Sequence, residues 1–453
     1  MNRYPTYKSI DLPWLCEIPT HWSVLRNKNI FSEVKDIVGS DSASYTLLSL
    51  TLNGIIPRDV ESGKGKFPKD FDTYKIVKKG NMAFCLFDID ETPRTVGLSA
   101  YDGMLTGAYT IFQVENVNAR YAFYYYLSLD NVKAMRPLYS GLRKTINVGT
   151  FLGTKFPLPS HEEQDQIVRF LDWKVSTINR LINIKRKEIR TLDAMKRSVV
   201  SDAVTHGLDG TVPMKYSGVR WLGDIPAHWS IIKLRQILHP VSVKNHPELP
   251  LLSVVREQGV IVRNTQDKEA NHNFIPDDLS NYKVVRGGQI VMNKMKAWQG
   301  SYGISDYTGI VSPAYFVFDV TFPNLEYLHY AIRSKVYVNF FAQASDGIRI
   351  GQWDLQMDKM KEIPFLVPPD DEQIAIVEHI KTAIPQYELA IEKLLSEIRT
   401  LGELKTRLIS DTVTGKIDVR DIEVPDFRYV EETVDSSDED DRDMGDASED
   451  EEE

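Results

Sequence analysis

The stretch "WLCEIPTHW" at residues 14–22 returns 207 positions later (221 − 14) as "WLGDIPAHW" at residues 221–229. Both copies carry two tryptophans, a proline and a histidine in the same register. Self-similarity at a fixed period is the sequence signature of a repeated structural unit. The two stretches therefore raise the question of whether the whole 453-residue chain is duplicated.

The duplication continues along the chain, in constant order and at nearly constant spacing. Four further pairs of segments share it: "YKIVKKGNMAF" (74–84) with "YKVVRGGQIVM" (282–292), "GLSAYDGMLTGAYTIF" (97–112) with "GISDYTGIVSPAYFVF" (303–318), "LPSHEEQDQIV" (158–168) with "VPPDDEQIAIV" (367–377), and "EIRTL" at 188–192 and 397–401. Matched blocks in one order are not expected by chance. The chain therefore consists of two homologous halves.

Composition places the chain among globular proteins, with 42% hydrophobic and 26% charged residues. No apolar run approaches the ~20 residues that a membrane-spanning helix needs, and the N-terminus lacks the apolar core of a signal peptide. The chain has two cysteines, Cys16 and Cys85, and the second half has neither at the matching positions. A disulfide framework is therefore not expected, and a reducing cytoplasm is the expected location.

The net charge of −10 is distributed unevenly. Residues 431–453 hold fourteen Asp or Glu against one Arg, a local charge of −13, which leaves +3 (−10 + 13) for the other 430 residues. Such a segment, almost without apolar residues, is expected to be disordered. Two interpretations remain open: a solubilising tail, or an internal mimic of DNA charge that competes for a basic groove.

Each half changes character partway along. Its first part has short apolar runs between turn residues, which predicts a mixed, strand-rich domain. Its second part is a long segment with helix-start residues, Ser160 with Glu163 and Asp370 with Gln373. Apolar residues then recur at steps of three and four, the pattern of a coiled-coil seam. They are Leu171, Val175, Ile178, Ile182, Ile189, Leu192 and Val199 in the first half, and Ile380, Ile384, Tyr387, Ile391, Leu394, Ile398, Leu401 and Leu408 in the second.

The sequence predicts an α+β protein in which the two long helices form an antiparallel coiled coil between two related domains. Lys185 and Lys196 fall within the seam and are candidates for setting its register, whereas Pro385 is expected to kink the second helix or end its first turns. The predicted segments are a first domain (1–159), a central helix (160–206), a second domain (207–369), a C-terminal helix (370–420) and the acidic tail (421–453).

The repeated W-L-x-x-I-P-x-H-W, the helix starts L-P-x-x-x-E-Q and P-P-x-x-E-Q, and the twofold repeat resemble specificity subunits of type I restriction–modification systems. The resemblance covers residues 1 to about 420, and the acidic tail has no place in it. It implies a non-catalytic subunit whose two target-recognition domains each read one half of a split double-stranded DNA site, the helices setting the spacer.

The resemblance further implies a complex with two methylation subunits, which bind S-adenosylmethionine and methylate adenine at N6. Restriction subunits, if present, add ATP- and Mg²⁺-dependent translocation and cleavage. No cofactor is expected on this chain itself, and no phosphate-binding G-x-x-x-x-G-K-[ST] motif occurs. The basic outer face of the first long helix is either a docking platform for the methylation subunits or a solvated surface.

Candidate DNA contacts are polar residues of types that bind phosphates or read base edges, placed at turns or in stretches that differ between the halves. They are Lys75, Arg94, Thr95, Arg143 and Lys144 in the first half, and Lys283, Asn293, Lys294, Lys296, Gln299, Arg349 and Gln352 in the second. Lys75 and Lys283 are equivalent, which suits phosphate contact. Trp298 is expected in the core rather than as a stacking platform, and His21 and His228 are interpreted as framework residues.

Two other functional classes remain open at this stage. The chain could be a protein-binding scaffold that keeps the fold without reading DNA, or an enzyme whose active site has no recognisable motif. DNA retention that falls steeply with salt would exclude the scaffold, and methylation by the chain alone would exclude the non-catalytic interpretation.

Overall fold

The protein is described here from a computed structural model, which describes residues 2–58, 71–140, 144–256, 258–264, 275–276, 278–349 and 352–433. These residues form two compact units, one within 2–186 and 395–433 and the other within 187–394. Each unit thus combines one strand-rich domain with part of each long helix. The predicted acidic tail (421–453) lies outside the described residues from 434 onward. Its predicted start was wrong, because residues 421–433 are described and their backbone is bound by side chains of the first long helix.

The first unit begins with twelve short strands and two helices. In chain order they are β1 (Tyr7–Leu12), β2 (Leu15–Pro19), β3 (Ser23–Arg26), β4 (Phe31–Val34), β5 (Leu48–Thr51), β6 (Gly54–Pro57), β7 (Lys75–Val77), β8 (Met82–Phe84), β9 (Val96–Leu98), β10 (Gly103–Leu105), β11 (Thr110–Val114), α1 (Ala119–Asn131), α2 (Val148–Gly153) and β12 (Lys155–Leu158). The long helix α3 (His161–His206) follows.

The core of the first unit lies between its largest sheet and its helices. That sheet has the order β4-β11-β8-β9, with antiparallel neighbours. Its inner face carries Phe31, Phe84 and Phe112, which pack with Phe151 of α2 and Tyr126 of α1. Strands β3 and β12 pair directly before α3, and so join the domain to the start of the long helix.

The second unit repeats this order after the end of α3. Its elements are β13 (Met214–Tyr216), β14 (Asp224–Pro226), β15 (Ser230–Lys233), β16 (Leu238–Val241), β17 (Leu252–Val255), β18 (Gly259–Val262), β19 (Lys283–Val285), β20 (Ile290–Asn293), β21 (Tyr302–Ile304), β22 (Gly309–Val311), β23 (Tyr315–Val320), α4 (Leu325–Arg333), α5 (Lys335–Gln343), β24 (Ser345–Arg349), β25 (Gln352–Leu355), α6 (Met357–Lys361), β26 (Pro364–Val367) and α7 (Asp370–Val413).

Strand pairing in the second unit matches that in the first. The sheet β16-β23-β20-β21 corresponds to β4-β11-β8-β9, the pair β15–β26 to β3–β12, and β19–β22 to β7–β10. The sequence duplication is therefore a duplication of topology. The second unit also has a hairpin, β24–β25, with antiparallel register and a bulge between Gly347 and Arg349.

The two long helices run antiparallel to each other inside each unit. In the first unit the ammonium group of Lys405 on α7 donates to Asn179 on α3 over 3.2 Å, and Lys185 pairs with Glu397. In the second unit Lys196 lies 3.5 Å from Glu388. In the first unit, lower residue numbers on α3 thus meet higher numbers on α7. In the second unit the direction is the same, since Gly207, directly after α3, lies beside Glu372 at the start of α7, whereas Lys196 meets Glu388. The predicted α+β class with antiparallel long helices is therefore confirmed.

The predicted seam residues are all buried or half-buried on α3 and α7. Leu171, Val175, Ile178 and Ile182 join Leu408 in the core of the first unit, and Ile380 lies in the core of the second. The ion pairs of Lys185 and Lys196 with glutamates of the facing helix explain how two cations are accommodated along the contact.

Two expectations about the long helices need correction. Pro385 does not end the second helix in its first turns, since α7 runs from Asp370 to Val413. At the start of α3 the Ser160 hydroxyl accepts a bond from the Glu163 amide at 3.3 Å, as a capping residue does. The Glu163 carboxylate, however, does not cap the helix, since it binds side chains of the preceding domain.

None of the helices in the described part of the chain has the length and apolar character that crossing a membrane requires.

Candidate nucleic-acid interface

The two opening motifs have the same structural role in both units. The indole nitrogen of Trp229 donates a hydrogen bond to the carboxylate of Glu372 at 2.8 Å, and the imidazole of His228 binds the same carboxylate. His21 and Trp22 make the same contacts with Glu163. Each motif therefore fixes its domain to the first turn of a long helix, and both histidines are framework residues in this structure.

Lys75 and Lys283 occupy equivalent places at the start of β7 and β19. The Lys75 ammonium donates to the carbonyl of Tyr109 at 2.7 Å, and that of Lys283 donates to the carbonyl of Tyr315 at 2.6 Å. Each lysine therefore tethers a neighbouring segment of the fold. The sequence did not predict these two hydrogen bonds. Phosphate contact by either lysine stays a prediction.

Arg94 and Thr95 surround Asp130, the side chain of which is fully enclosed. Asp130 accepts bonds from the Arg94 guanidinium at 3.1 Å and from the Thr95 hydroxyl at 2.5 Å, and Lys133 lies 2.8 Å away. An enclosed carboxylate needs such partners, because an unpaired buried charge is very costly. Thr95 itself is fully buried. We therefore correct its assignment from DNA contact to support of the domain interior.

The turn that carries Arg143 and Lys144 is only partly described, since Arg143 lies outside the described residues. The Lys144 ammonium pairs with Glu91 at 3.0 Å, and Arg136 pairs with Asp90 at 2.7 Å. Partial desolvation opposes ionisation of Asp90, but the bonds from Arg136 and Tyr139 prevail and lower its pKa. The acidic loop after β8 is thus matched by cations of its own domain.

The corresponding loop of the second unit, residues 294–300, has the opposite charge character. Asn293 accepts bonds from the amides of Met295 and Lys296, at 3.0 and 3.2 Å, and so shapes the turn after β20. Lys294 pairs with Asp354 at 2.8 Å, and Gln299 is half-buried. Lys296 is exposed and has no side-chain partner within the described part of the chain. Of this loop, Lys296 is therefore best placed to meet a phosphate.

Further cations gather around Lys283. Burial lowers the pKa of its ammonium group, and the nearby charges of Lys244 and Lys294 lower it further. Arg263 acts electrostatically on Tyr315, whose backbone carbonyl binds Lys283. We call Lys244, Arg263, Lys283 and Lys294 the cation cluster of the second unit. A polyanion would relieve the mutual repulsion of such a group.

Lys244 and Arg263 were not among the candidates predicted from the sequence. Equivalent backbone hydrogen bonds in the two units show which residues of the first unit they correspond to. Arg263 corresponds to Arg58, since their amides bind the carbonyls of Leu251 and Leu47, at 2.8 and 2.9 Å. Backbone amides bind the carbonyls of Val243 and Asp36 in the same way, so the next residues, Lys244 and Ile37, correspond to each other. Backbone amides also bind the carbonyls of Lys294 and Leu86, so these two residues correspond as well. The units thus share two of the four cations and differ at the other two.

The hairpin β24–β25 contains the remaining two candidates. Arg349 ends β24 and pairs in register with Gln352, the first residue of β25, while the side chains of both lie outside the described part of the chain. Trp353 packs against Trp298 with ring centroids 5.7 Å apart. Trp298, expected in the core, is half-buried and supports this exposed partner.

The comparison with known families identifies residues 69–191 as a match to the family described as "Type I restriction modification DNA specificity domain". No curated protein matches the chain. A solved structure described as the "structural basis underlying complex assembly and conformational transition of the type I R-M system" is similar in fold, with a TM-score of 0.57 and 11% identity. The likeness covers 88% of this chain and 99% of that chain.

Two further solved structures match over most of their length. The HsdS subunit from Thermoanaerobacter tengcongensis has 13% identity and a TM-score of 0.40, covering 88% of this chain and 98% of its own. The S subunit of a type I restriction-modification system from M. genitalium has 11% identity and a TM-score of 0.33, covering 90% and 97%. The chain shares its fold with the structure whose TM-score is 0.57.

Proposed function

We propose that the chain is a specificity subunit of a type I restriction–modification system, since residues 69–191 match the family of its DNA specificity domain, and that each strand-rich domain reads one half of a bipartite, asymmetric DNA site. The chain contributes recognition, and the chemistry belongs to other subunits. The observation that carries the proposal is one scaffold present twice with unlike loops. Residues 294–300 are basic where the matching loop after β8 is acidic, and the cation cluster is only half conserved between the units.

The long helices suit two further roles. At 46 residues, α3 is about 70 Å long at a rise of 1.5 Å per residue. We expect the pair α3–α7 to set the unread spacer between the half-sites and to dock the methylation subunits. Stiff antiparallel helices suit a spacer because half-site separation must follow the helical repeat of DNA.

The partners follow from the same proposal. Two methylation subunits would bind S-adenosylmethionine and methylate adenine at N6, and restriction subunits would supply ATP- and Mg²⁺-dependent cleavage. The complex would act on double-stranded DNA in the cytoplasm. Support comes from the matched specificity domain and from the cation cluster, since phosphate neutralisation by Lys and Arg supplies much of DNA affinity.

The test is to co-express the full chain with its methylation subunit in a host without adenine methylation. Single-molecule sequencing then maps modified adenines across the genome. We expect a motif of two short, different half-sites separated by a fixed gap. The methylation subunit expressed alone is the control and should leave that motif unmodified.

A soluble complex that leaves DNA unmodified and does not retain DNA specifically at low salt would contradict the proposal. A protein-binding scaffold would then be the better interpretation. Methylation by the purified chain with S-adenosylmethionine alone would contradict the non-catalytic role instead.

A further inference from the structure

The hairpin β24–β25 differs in length from the matching segment of the first unit. Eight positions separate Gly347 from the inward-facing Leu355, whereas five separate the matching Gly141 from Ile146. The extra residues include Trp353, and the matching segment of the first unit has no tryptophan. The first unit closes the matching turn with an antiparallel bridge between Ser140 and Thr145. The greater length and Trp353 therefore distinguish the hairpin of the second unit from its counterpart.

Trp353 is held firmly although its ring is partly exposed. Its indole lies against Trp298 at a ring-centroid distance of 5.7 Å and an interplanar angle of 30°. Across the hairpin it pairs in register with Gly347, where a Cβ would stand only 3.6 Å from the indole. The next residue, Asp354, is fixed by Lys294 at 2.8 Å. A ring so supported loses little further entropy when it binds a ligand.

The loop that supports Trp353 carries two lysines, Lys294 and Lys296. The ion pair of Asp354 with Lys294 joins the hairpin to the cation cluster, because Lys294 acts electrostatically on Lys283. Lys296 lies in the same loop as Trp298 and is exposed. Trp353 itself is 39% exposed. An exposed, rigid aromatic ring beside cations suits a nucleic acid, which offers phosphates and apolar base surfaces together.

We infer that Trp353 is a specificity-determining residue of the second unit, making apolar contact with a base of the half-site that this unit reads. This inference rests on the proposed function. The contact is with the edge of a base in the major groove, such as a thymine methyl group, which distinguishes base pairs without hydrogen bonds. Trp298 acts as a positioning residue that holds the ring of Trp353 in place.

The test compares the wild-type complex with Trp353→Ala and Trp353→Phe. For each, modified adenines are mapped, and DNA retention is measured on the wild-type site and on sites altered in one half. Trp353→Ala is expected to relax the motif at the second half-site alone. Its discrimination against altered second half-sites should fall by roughly tenfold, the size of one base contact. Trp353→Phe should keep most of the discrimination.

Trp221→Ala is the matched control, because Trp221 is exposed at 63% in the same unit but lies between β13 and β14. Its motif should equal that of the wild type. An unchanged motif and unchanged discrimination in Trp353→Ala would overturn the inference, while the wild-type motif would still support the proposed function. A wild-type complex without any bipartite motif would contradict both. Preserved reading of the first half-site shows that the variant complex is folded.

Discussion

The indole nitrogen of Trp22 donates a hydrogen bond to the carboxylate of Glu163 over 3.0 Å, although 141 positions separate the two residues. The same carboxylate accepts the Tyr4 hydroxyl at 2.6 Å and binds His21 at 2.8 Å. Glu163 is almost completely buried. The carboxylate of Glu163 thus joins the N-terminal residues and the opening motif to the first turn of α3. This contact explains why the opening motif and the helix start occur together in each half.

We expect Glu163→Gln to destabilise the first unit by about 1–3 kcal/mol, because a neutral amide cannot satisfy three donors as an ionised carboxylate does. Urea denaturation followed by tryptophan fluorescence measures the change. Glu162→Gln is the matched control, since Glu162 is exposed on the same helical turn. Equal stability of the two variants would show that the carboxylate network contributes little.

A second relationship involves the segment after α7, residues 417–433, which we call the C-terminal strap. The strap follows α3 in the same direction, and polar side chains of α3 bind its backbone. The Gln166 amide donates to the carbonyl of Ile422 at 2.7 Å, and the Asn179 amide donates to that of Val430 at 3.0 Å. Val419 of the strap is fully buried in the core of the first unit.

Ser176→Ala is predicted to loosen the strap. The Ser176 hydroxyl donates to the carbonyl of Arg428 at 3.1 Å and accepts from the amide of Val430 at 2.9 Å. Loss of a buried bridge of this kind costs about 1–3 kcal/mol. Amide hydrogen exchange should quicken at Val430, whereas Thr177→Ala, on the exposed side of the helix, should leave it slow. Unchanged protection of Val430 in Ser176→Ala would contradict the prediction.

The strap is also expected to respond to acid through Glu432. Partial burial opposes ionisation of its carboxylate, but Lys405 and Arg186 prevail and lower its pKa below the usual 4.5. A carboxylate with a lowered pKa in the folded state stabilises it above the unfolded pKa, and loses this effect as pH falls through the folded pKa. Because the side chain keeps some solvent contact, we expect about 1 kcal/mol or less.

The measurement is the free energy of unfolding of wild type and Glu432→Gln between pH 7 and pH 3. Their difference should be constant above pH 5 and shrink on acidification. A difference that grows at low pH would contradict the sign of this linkage. Glu423→Gln, in an exposed part of the strap, is the charge-matched control for the removal of one carboxylate.

The sequence was sufficient for the duplicated scaffold and the antiparallel helices, because repetition and heptad spacing are visible without a structure. The surroundings of Thr95 were not predictable, since the carboxylate that accepts its hydroxyl hydrogen bond belongs to Asp130, 35 positions later. The strap was missed for another reason. Its partners on α3 bind main-chain carbonyls, which every residue has, so the side chains of the strap do not reveal these contacts in the sequence. At Pro385 local propensity allowed the second helix to end in its first turns, whereas α7 continues to Val413.

The loop after β20 supplies the last prediction. Lys296→Gln should make the plot of log binding constant against log salt concentration less steep by about 0.9, as expected for one lost phosphate contact. Affinity should weaken for every DNA sequence, because phosphates carry no sequence information. Arg286→Gln is the charge-matched control, since Arg286 is exposed at the turn before β20, at the other end of that strand. If both variants lower the slope equally, the effect is one of overall charge, and the loop after β20 has no special contact with DNA.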